Sequence, residues 1–214
     1  MFREAMKKGV NGLFDWKRKG EEGRLAIVSI AGKVGMVKPP NIEIKPCFIE
    51  APDALLAWLR CVVTWDERMK ARKTASFGVA YNYSQMHYAA SPMPAELEAL
   101  CALLALELGF HPNNCLINCY PDGDASMGFH SDILDGLAPA TGVAIISVGS
   151  TRAIMFRSKA LRSAEFAYDL PSGSLLYMSQ QIQHDWVHAI PKSATAGERI
   201  SLTFRSIIAP PTVV

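Results

Sequence analysis

Between Leu116 and Ser206 the chain is broken into short apolar runs, and this cadence narrows the possible folds more than any other feature. The runs are Leu116 to Tyr120, Val143 to Val148, Ala153 to Phe156, Ser174 to Met178 and Ile200 to Ser206. Each has the length of a strand and falls short of an average helix. Pro121-Asp122-Gly123-Asp124, Gly149-Ser150 and Pro171-Ser172-Gly173 supply the turns between them. Many short strands with such punctuation build a sandwich, a jelly roll or a barrel rather than a parallel α/β sheet. With 214 residues, half of them hydrophobic, the chain can bury one complete core, and no repeat, low-complexity tract or linker divides it.

The first half follows another rhythm. Asp53 is positioned to cap a helix carrying Leu55, Leu56, Trp58 and Leu59, and Pro94 opens a second carrying Leu97, Leu100, Cys101, Leu104 and Leu108 that stops at Gly109. Two such helices are expected to brace a sheet, giving an α+β, mainly β fold in which 1–110 holds the helices and 111–214 the strand-built core of one domain. Lys38-Pro39-Pro40-Asn41 forbids helix, and the alternation of Ile42 and Ile44 after it predicts a short strand. Residues 1–24 are rich in Lys and Arg with few apolar anchors, which reads as a weak amphipathic helix or a partly ordered arm.

Several function classes recede on composition. The longest apolar stretch, Leu97 to Phe110, is interrupted by Glu98 and Glu107, so no membrane helix is expected, nor is a secretory leader expected from the charged start of the chain. A cytoplasmic monomer is the resulting expectation. Five cysteines without a Cys-x-x-Cys pair argue against a disulfide framework or zinc ribbon and read as reduced core residues. Residues 1–80 hold fifteen Lys and Arg against nine Asp and Glu, whereas 81–214 hold seven against eleven. The basic first part can face a polyanion, or form an ordinary solvated surface.

His130-Ser131-Asp132 carries the chemistry: on an extended strand residues two apart point to one face, where both can chelate one ion. A further ligand can come from His184 or His188, since two histidines and a carboxylate form the facial triad of iron(II) oxygenases. A zinc helix of the His-Glu-x-x-His kind fits less well, because Asp185 replaces the catalytic Glu and Ile182, Trp186 and Ile190 read as a strand entering a turn. In Arg199 to Arg205 the period of two puts Ile200, Leu202 and Phe204 on one face and Arg199, Ser201, Thr203 and Arg205 on the other. Two arginines facing a barrel interior need anions, and a dicarboxylate supplies two. The arginines lie roughly 20 Å apart on an extended strand, so they share a small ligand only by leaning together. The alternative is an edge strand with solvated arginines.

Taken in order, Leu116-Ile-Asn-Cys-Tyr120, His130-x-Asp132, Trp186-x-His188 and Arg199-x-Ser-x-Thr-Phe-Arg205 resemble the AlkB family of iron(II)/2-oxoglutarate dioxygenases over about 90 residues. The resemblance implies a double-stranded β-helix (jelly-roll) core with iron on His130, Asp132 and His188. It implies 2-oxoglutarate on Asn118, Tyr120, Arg199, Ser201 and Arg205, with dioxygen as the other co-substrate. Ser201 stands where the family often has Asn and offers a shorter hydrogen-bonding group. The activity implied is oxidative demethylation of alkylated bases in DNA or RNA, single-stranded or extruded, releasing formaldehyde, succinate and carbon dioxide.

Substrate contacts are expected from Arg72, Tyr81 and Tyr83, in a segment similar to a nucleic-acid-gripping hairpin, and from Asp135 and Trp186. Tyrosines that cover the core and a Trp186 packed beside His188 are the competing readings. Leu134 stands where repair members place an acidic residue, with Asp135 one position later. That departure keeps open an oxygenase of protein or small-molecule substrates. A jelly-roll binding module without metal chemistry remains the alternative of another class.

Overall fold

The computed structural model describes residues 27–30, 33–83 and 86–208. The arm expected in residues 1–24 lies outside the described residues. In chain order the elements are β1 (Ile27–Ile30), β2 (Lys33–Met36), β3 (Glu43–Lys45), α1 (Pro52–Val62), β4 (Lys73–Gly78), β5 (Tyr81–Tyr83), β6 (Met86–Tyr88) and α2 (Ala95–Leu108). Then come β7 (Asn114–Tyr120), β8 (Met127–His130), β9 (Gly142–Gly149), β10 (Arg152–Ser158), β11 (Glu165–Leu170), β12 (Ser174–Ser179), α3 (Gln180–Asp185), β13 (Trp186–Ile190) and β14 (Arg199–Arg205).

The large sheet has the order β3-β12-β9-β14-β7-β4 and the small one β11-β10-β13-β8, with every pairing antiparallel. From β7 onward the chain alternates between them, large to small to large, with β10 and β11 the one consecutive pair kept in the small sheet. This mostly β topology fits the jelly roll. The first half also contributes β3 and β4, which become the two edges of the large sheet.

Alternation along the large sheet divides the apolar residues into two cores. Ile200, Leu202 and Phe204 of β14, with Cys115 and Ile117 of β7, share a cluster with Leu55 and Leu59 of α1 and Leu97, Leu100 and Leu104 of α2. Each leucine so buried contributes about 1.5 to 3 kcal/mol relative to exposure. Val143 and Ile145 of β9 face the other way and pack with Ile154 and Phe156 of β10 in the cluster between the sheets. Because both faces are covered, β7 and β14 are buried at every residue.

Several details differ from expectation. Asp53 does not cap α1: Ala51 occupies the N-cap and Asp53 falls in the first turn, where its charge meets the positive end of the helix dipole. Gly109 ends α2 in the left-handed conformation, φ 77°, as its position suggested. Residues 180–185 form a short helix, so the strand expected through Ile182 begins only at Trp186. All five cysteines are free, but Cys47 and Cys61 are exposed and only Cys101, Cys115 and Cys119 are core residues. No helix among the described residues is long and apolar enough to cross a membrane.

Candidate active site

β14 runs between β9 and β7, so the reading of it as a solvated edge strand fails. Its inward face opens on a cavity between the sheets, lined by Arg199, Ser201, Thr203 and Arg205. The register sets Arg199 opposite Tyr120 and Ser201 opposite Asn118, so both residues of β7 line the same space. The other wall carries His130, His188 and Asp132. Antiparallel pairing places His130 and His188 directly opposite each other on β8 and β13, with ring centroids 4.3 Å apart.

Arg199 is 1% exposed. One of its terminal nitrogens donates to Ser147 Oγ at 2.8 Å, while Nε and the other terminal nitrogen have no hydrogen-bond partner among the described residues. Burial pushes its guanidinium below the usual arginine range, and among the described residues no carboxylate pairs with it. It shares the Tyr120 ring with a second buried arginine, Arg199 Cζ lying 5.3 Å and Arg152 Cζ 5.7 Å from the ring centroid. Arg152 escaped the sequence reading. It donates to the carbonyls of Asp122, Ala125 and Pro191 and so ties the turn after β7 to the end of β13. The burial of one arginine in a strand that otherwise alternates Ile154 and Phe156 inward was the only available signal.

At the opposite end Asp132 is 6% exposed and paired with Arg205 through Oδ1. Its Oδ2 lies 3.6 Å from His188 Nε2. Burial alone would raise the Asp132 carboxyl, but Arg205, His188 and His130 outweigh it and bring it down to about 2. Burial moves His188 in the neutralising direction: its imidazole is pushed down to about 4, against the pull of Asp132. His130 Nδ1 is 2.9 Å from the Gly128 carbonyl. That oxygen can only accept, so Nδ1 carries the proton and Nε2 keeps the lone pair a metal requires.

The expected strand geometry of His130-x-Asp132 is not what the chain adopts, because β8 ends at His130 and Asp132 lies in the irregular segment beyond it. Gln183 of α3 reaches Asp132 from outside, accepting its backbone N–H at 2.9 Å and donating to Oδ2 at 3.2 Å. No sequence pattern had marked this glutamine. His184, the competing ligand, is exposed on α3 and lines no part of the cavity.

The expected substrate contacts are dispersed. Arg72 is buried and donates from Nε to Asn118 Oδ1 at 2.8 Å, serving the cavity wall rather than a phosphate. Tyr81 is 6% exposed, and its ring covers the Arg205 guanidinium with Cζ 4.5 Å from the centroid. Trp186 is buried edge-on against Phe166, ring centroids 5.6 Å apart, and is not available as a platform for a base. Asp135 is exposed and outside the cavity lining, while Leu134 packs on the core between the sheets. The side chain of Tyr83 lies outside the described residues.

The three donors are neighbours rather than a closed cage: among the described residues no group of three or more His, Cys, Asp or Glu is set for metal binding as it stands. Their chemistry nevertheless fits iron(II), with two imidazoles and one carboxylate beside open space. The partnerless nitrogens of Arg199 fit the carboxylate of an oxo diacid.

A β sandwich that gathers two imidazoles, a carboxylate and two arginines into one cavity has the make-up of a metal- and oxo-acid-dependent oxygenase core. The family model described as 2OG-Fe(II) oxygenase superfamily matches residues 61–205, about two thirds of the chain, and the chain belongs to that superfamily as an AlkB-like member. It is 32% identical over 148 residues to human DNA oxidative demethylase ALKBH2, covering 64% of this chain and 57% of that protein. It is 30% identical over 190 residues to the rat alpha-ketoglutarate-dependent dioxygenase alkB homolog 3, covering 78% and 64%. The chain thus spans less than two thirds of the length of these relatives. The structure of OsALKBH1 shares the fold, with a TM-score of 0.58 at 14% identity over 79% of this chain and all of that one.

Proposed function

We propose that the protein is an iron(II)- and 2-oxoglutarate-dependent dioxygenase that demethylates alkylated nucleic-acid bases. The observation that carries the co-substrate assignment is Arg199, a fully buried cation with two partnerless nitrogens facing the same cavity as His130, Asp132 and His188. The activity for which the ALKBH2 relatives are named, DNA oxidative demethylation, supports the substrate class.

In this reading His130, Asp132 and His188 hold iron on a jelly-roll core braced by α1 and α2. Iron(II) with 2-oxoglutarate and dioxygen supplies the oxidation of an N-alkyl carbon, whose hydroxylated product loses formaldehyde. Arg199, with Tyr120 and Asn118 on the facing strand, binds one carboxylate of the co-substrate, and Arg205 serves the end nearer the metal. Arg72 fixes the Asn118 amide: its Nε–H needs the carbonyl oxygen, so the Asn118 NH₂ is left for the cavity. The walls of Leu116, Ile145, Ile154 and Ile190 keep water from the reacting centre. The methylated base reaches the site from a single strand or by extrusion from a duplex.

The test is formaldehyde release from oligonucleotides bearing 1-methyladenine or 3-methylcytosine, run beside methylated peptides and free nucleosides. Product from the oligonucleotides is expected. Product from a peptide or small molecule alone would transfer the assignment to the reading that Leu134, packed in the core in place of an acidic residue, favours.

A further inference from the structure

Among the described residues Asp132 is the only acidic side chain lining the cavity, and it stands on no regular element. A carboxylate on an irregular segment keeps its orientation only if something outside the segment holds it. Gln183 does this with both ends of its amide. Its Oε1 accepts the Asp132 backbone N–H at 2.9 Å, which fixes the amide's orientation, because only the carbonyl end can accept. Nε2 is thereby turned to the carboxylate and donates to Oδ2 at 3.2 Å, with Met178 Sδ at 3.6 Å. Gln183 is 1% exposed and belongs to α3, which runs directly into β13 and His188.

We propose that Gln183 is a positioning residue for the metal centre. It fixes Asp132 Oδ2 against His188, five residues further along its own segment, so that carboxylate and imidazole are presented together. The other oxygen, Oδ1, is already held by Arg205. The two clamps complement each other: Arg205 anchors the carboxylate to β14 of the large sheet, and Gln183 anchors it to the segment that supplies the second imidazole. Supporting partners of this kind orient metal ligands, and their loss typically lowers metal affinity about ten- to a hundred-fold. A packing role would demand less, since an unbranched apolar side chain of similar length would fill the same space. The inference rests on the reading of the site as an iron centre.

The experiment is a titration of the whole chain with Mn(II), a redox-stable stand-in for iron(II), following the free-ion EPR signal. Gln183→Met keeps the volume and removes both hydrogen bonds; it is expected to weaken Mn(II) binding about ten- to a hundred-fold. His184→Ala, on the exposed side of the same helix, is expected to bind as the unaltered protein does. If Gln183→Met does not fold, as judged by circular dichroism, Gln183→Asn takes its place; its shorter amide cannot span both partners and is expected to lose affinity as well. Binding within about two-fold of the unaltered protein in a folded Gln183 variant would overturn the proposal and leave Gln183 a packing residue. An equal loss in His184→Ala would overturn it too, since the effect would then belong to the helix. An unaltered protein that binds no Mn(II) would overturn the iron reading itself, a failure recognisable because it appears before any substitution.

Discussion

Arg199 and Arg205 stand on β14, which is paired with β7 along its whole length and with β9 along nearly all of it, whereas His130 ends β8, an edge strand of the small sheet, and Asp132 follows it on irregular backbone. One end of the cavity is therefore fixed by backbone pairing on both sides. The other is assembled by side chains that arrive from elsewhere: Arg205 from β14, Gln183 from α3 and the Gly128 carbonyl. The difference predicts how each end fails. Substitutions at the arginine end should change ligand affinity within an intact frame, and substitutions at the metal end should disperse the donors.

The largest effect is expected at Asp132. Asp132→Ala removes the carboxylate that lines the cavity among the described residues, so turnover should be lost together with metal binding. Metal titration and formaldehyde release measure both. His184→Ala should alter neither, and loss of metal in that variant with retention in His188→Ala would reverse the assignment of the third ligand.

Next is the co-substrate end. Arg199→Ala should weaken 2-oxoglutarate binding by roughly 2 to 5 kcal/mol, the cost of removing one partner of a buried charge pair. Titration of metal-loaded protein with 2-oxoglutarate reads it. The melting temperature of the metal-free variant should not fall and can rise, because a buried, under-bonded cation has gone. A large drop would mean that Arg199 holds the sheets together and that the two ends do not differ as described.

The arginine end was legible in the sequence because alternation on a central strand leaves no freedom: once Ile200, Leu202 and Phe204 are buried against the helices, Arg199 and Arg205 must face the other way. Asn118 and Tyr120 came from the family resemblance, and alternation adds only that they share one face of β7. Alternation failed at His130-Ser131-Asp132, where it does not operate because the strand has ended, and the actual restraint comes from Gln183, 51 residues away. Short-range patterns carry no trace of such a partner. For Arg72 and Tyr81 charge and aromaticity suggest nucleic acid, whereas the folded chain buries both, against Asn118 and Arg205 respectively.

A third prediction uses pH to separate the ends. His188 is held neutral in the folded chain, at about 4 against an ordinary value of 6.5, so its contribution to stability is complete above pH 6.5 and is lost as pH falls toward 4. At 1.36 kcal/mol per unit the loss is about 3 kcal/mol. Asp132, brought down to about 2 from 3.8, contributes above 3.8 and loses that contribution only below it. Thermal unfolding of metal-free protein between pH 7 and pH 4 should therefore show a decline that His188→Phe flattens. A decline unchanged in that variant would assign it to another group.

The smallest effect decides to which end Tyr81 belongs. Its hairpin position suggests stacking on a base, yet its ring covers Arg205, which pairs with Asp132 and which we propose also serves the co-substrate. A cation over an aromatic face is worth roughly 0.5 to 2 kcal/mol, more when desolvated, so Tyr81→Leu should weaken 2-oxoglutarate binding about two- to thirty-fold. The apparent constant for a methylated oligonucleotide, measured at saturating 2-oxoglutarate, should stay the same, because a buried ring offers no face to a base. The opposite pattern, with weaker oligonucleotide binding and unchanged 2-oxoglutarate binding, would move Tyr81 to the substrate side and make the hairpin the gripping element its sequence suggested. Salt sharpens the distinction: phosphate contacts released by the substitution would flatten the salt dependence of oligonucleotide binding, whereas loss of a contact inside the cavity leaves that slope intact.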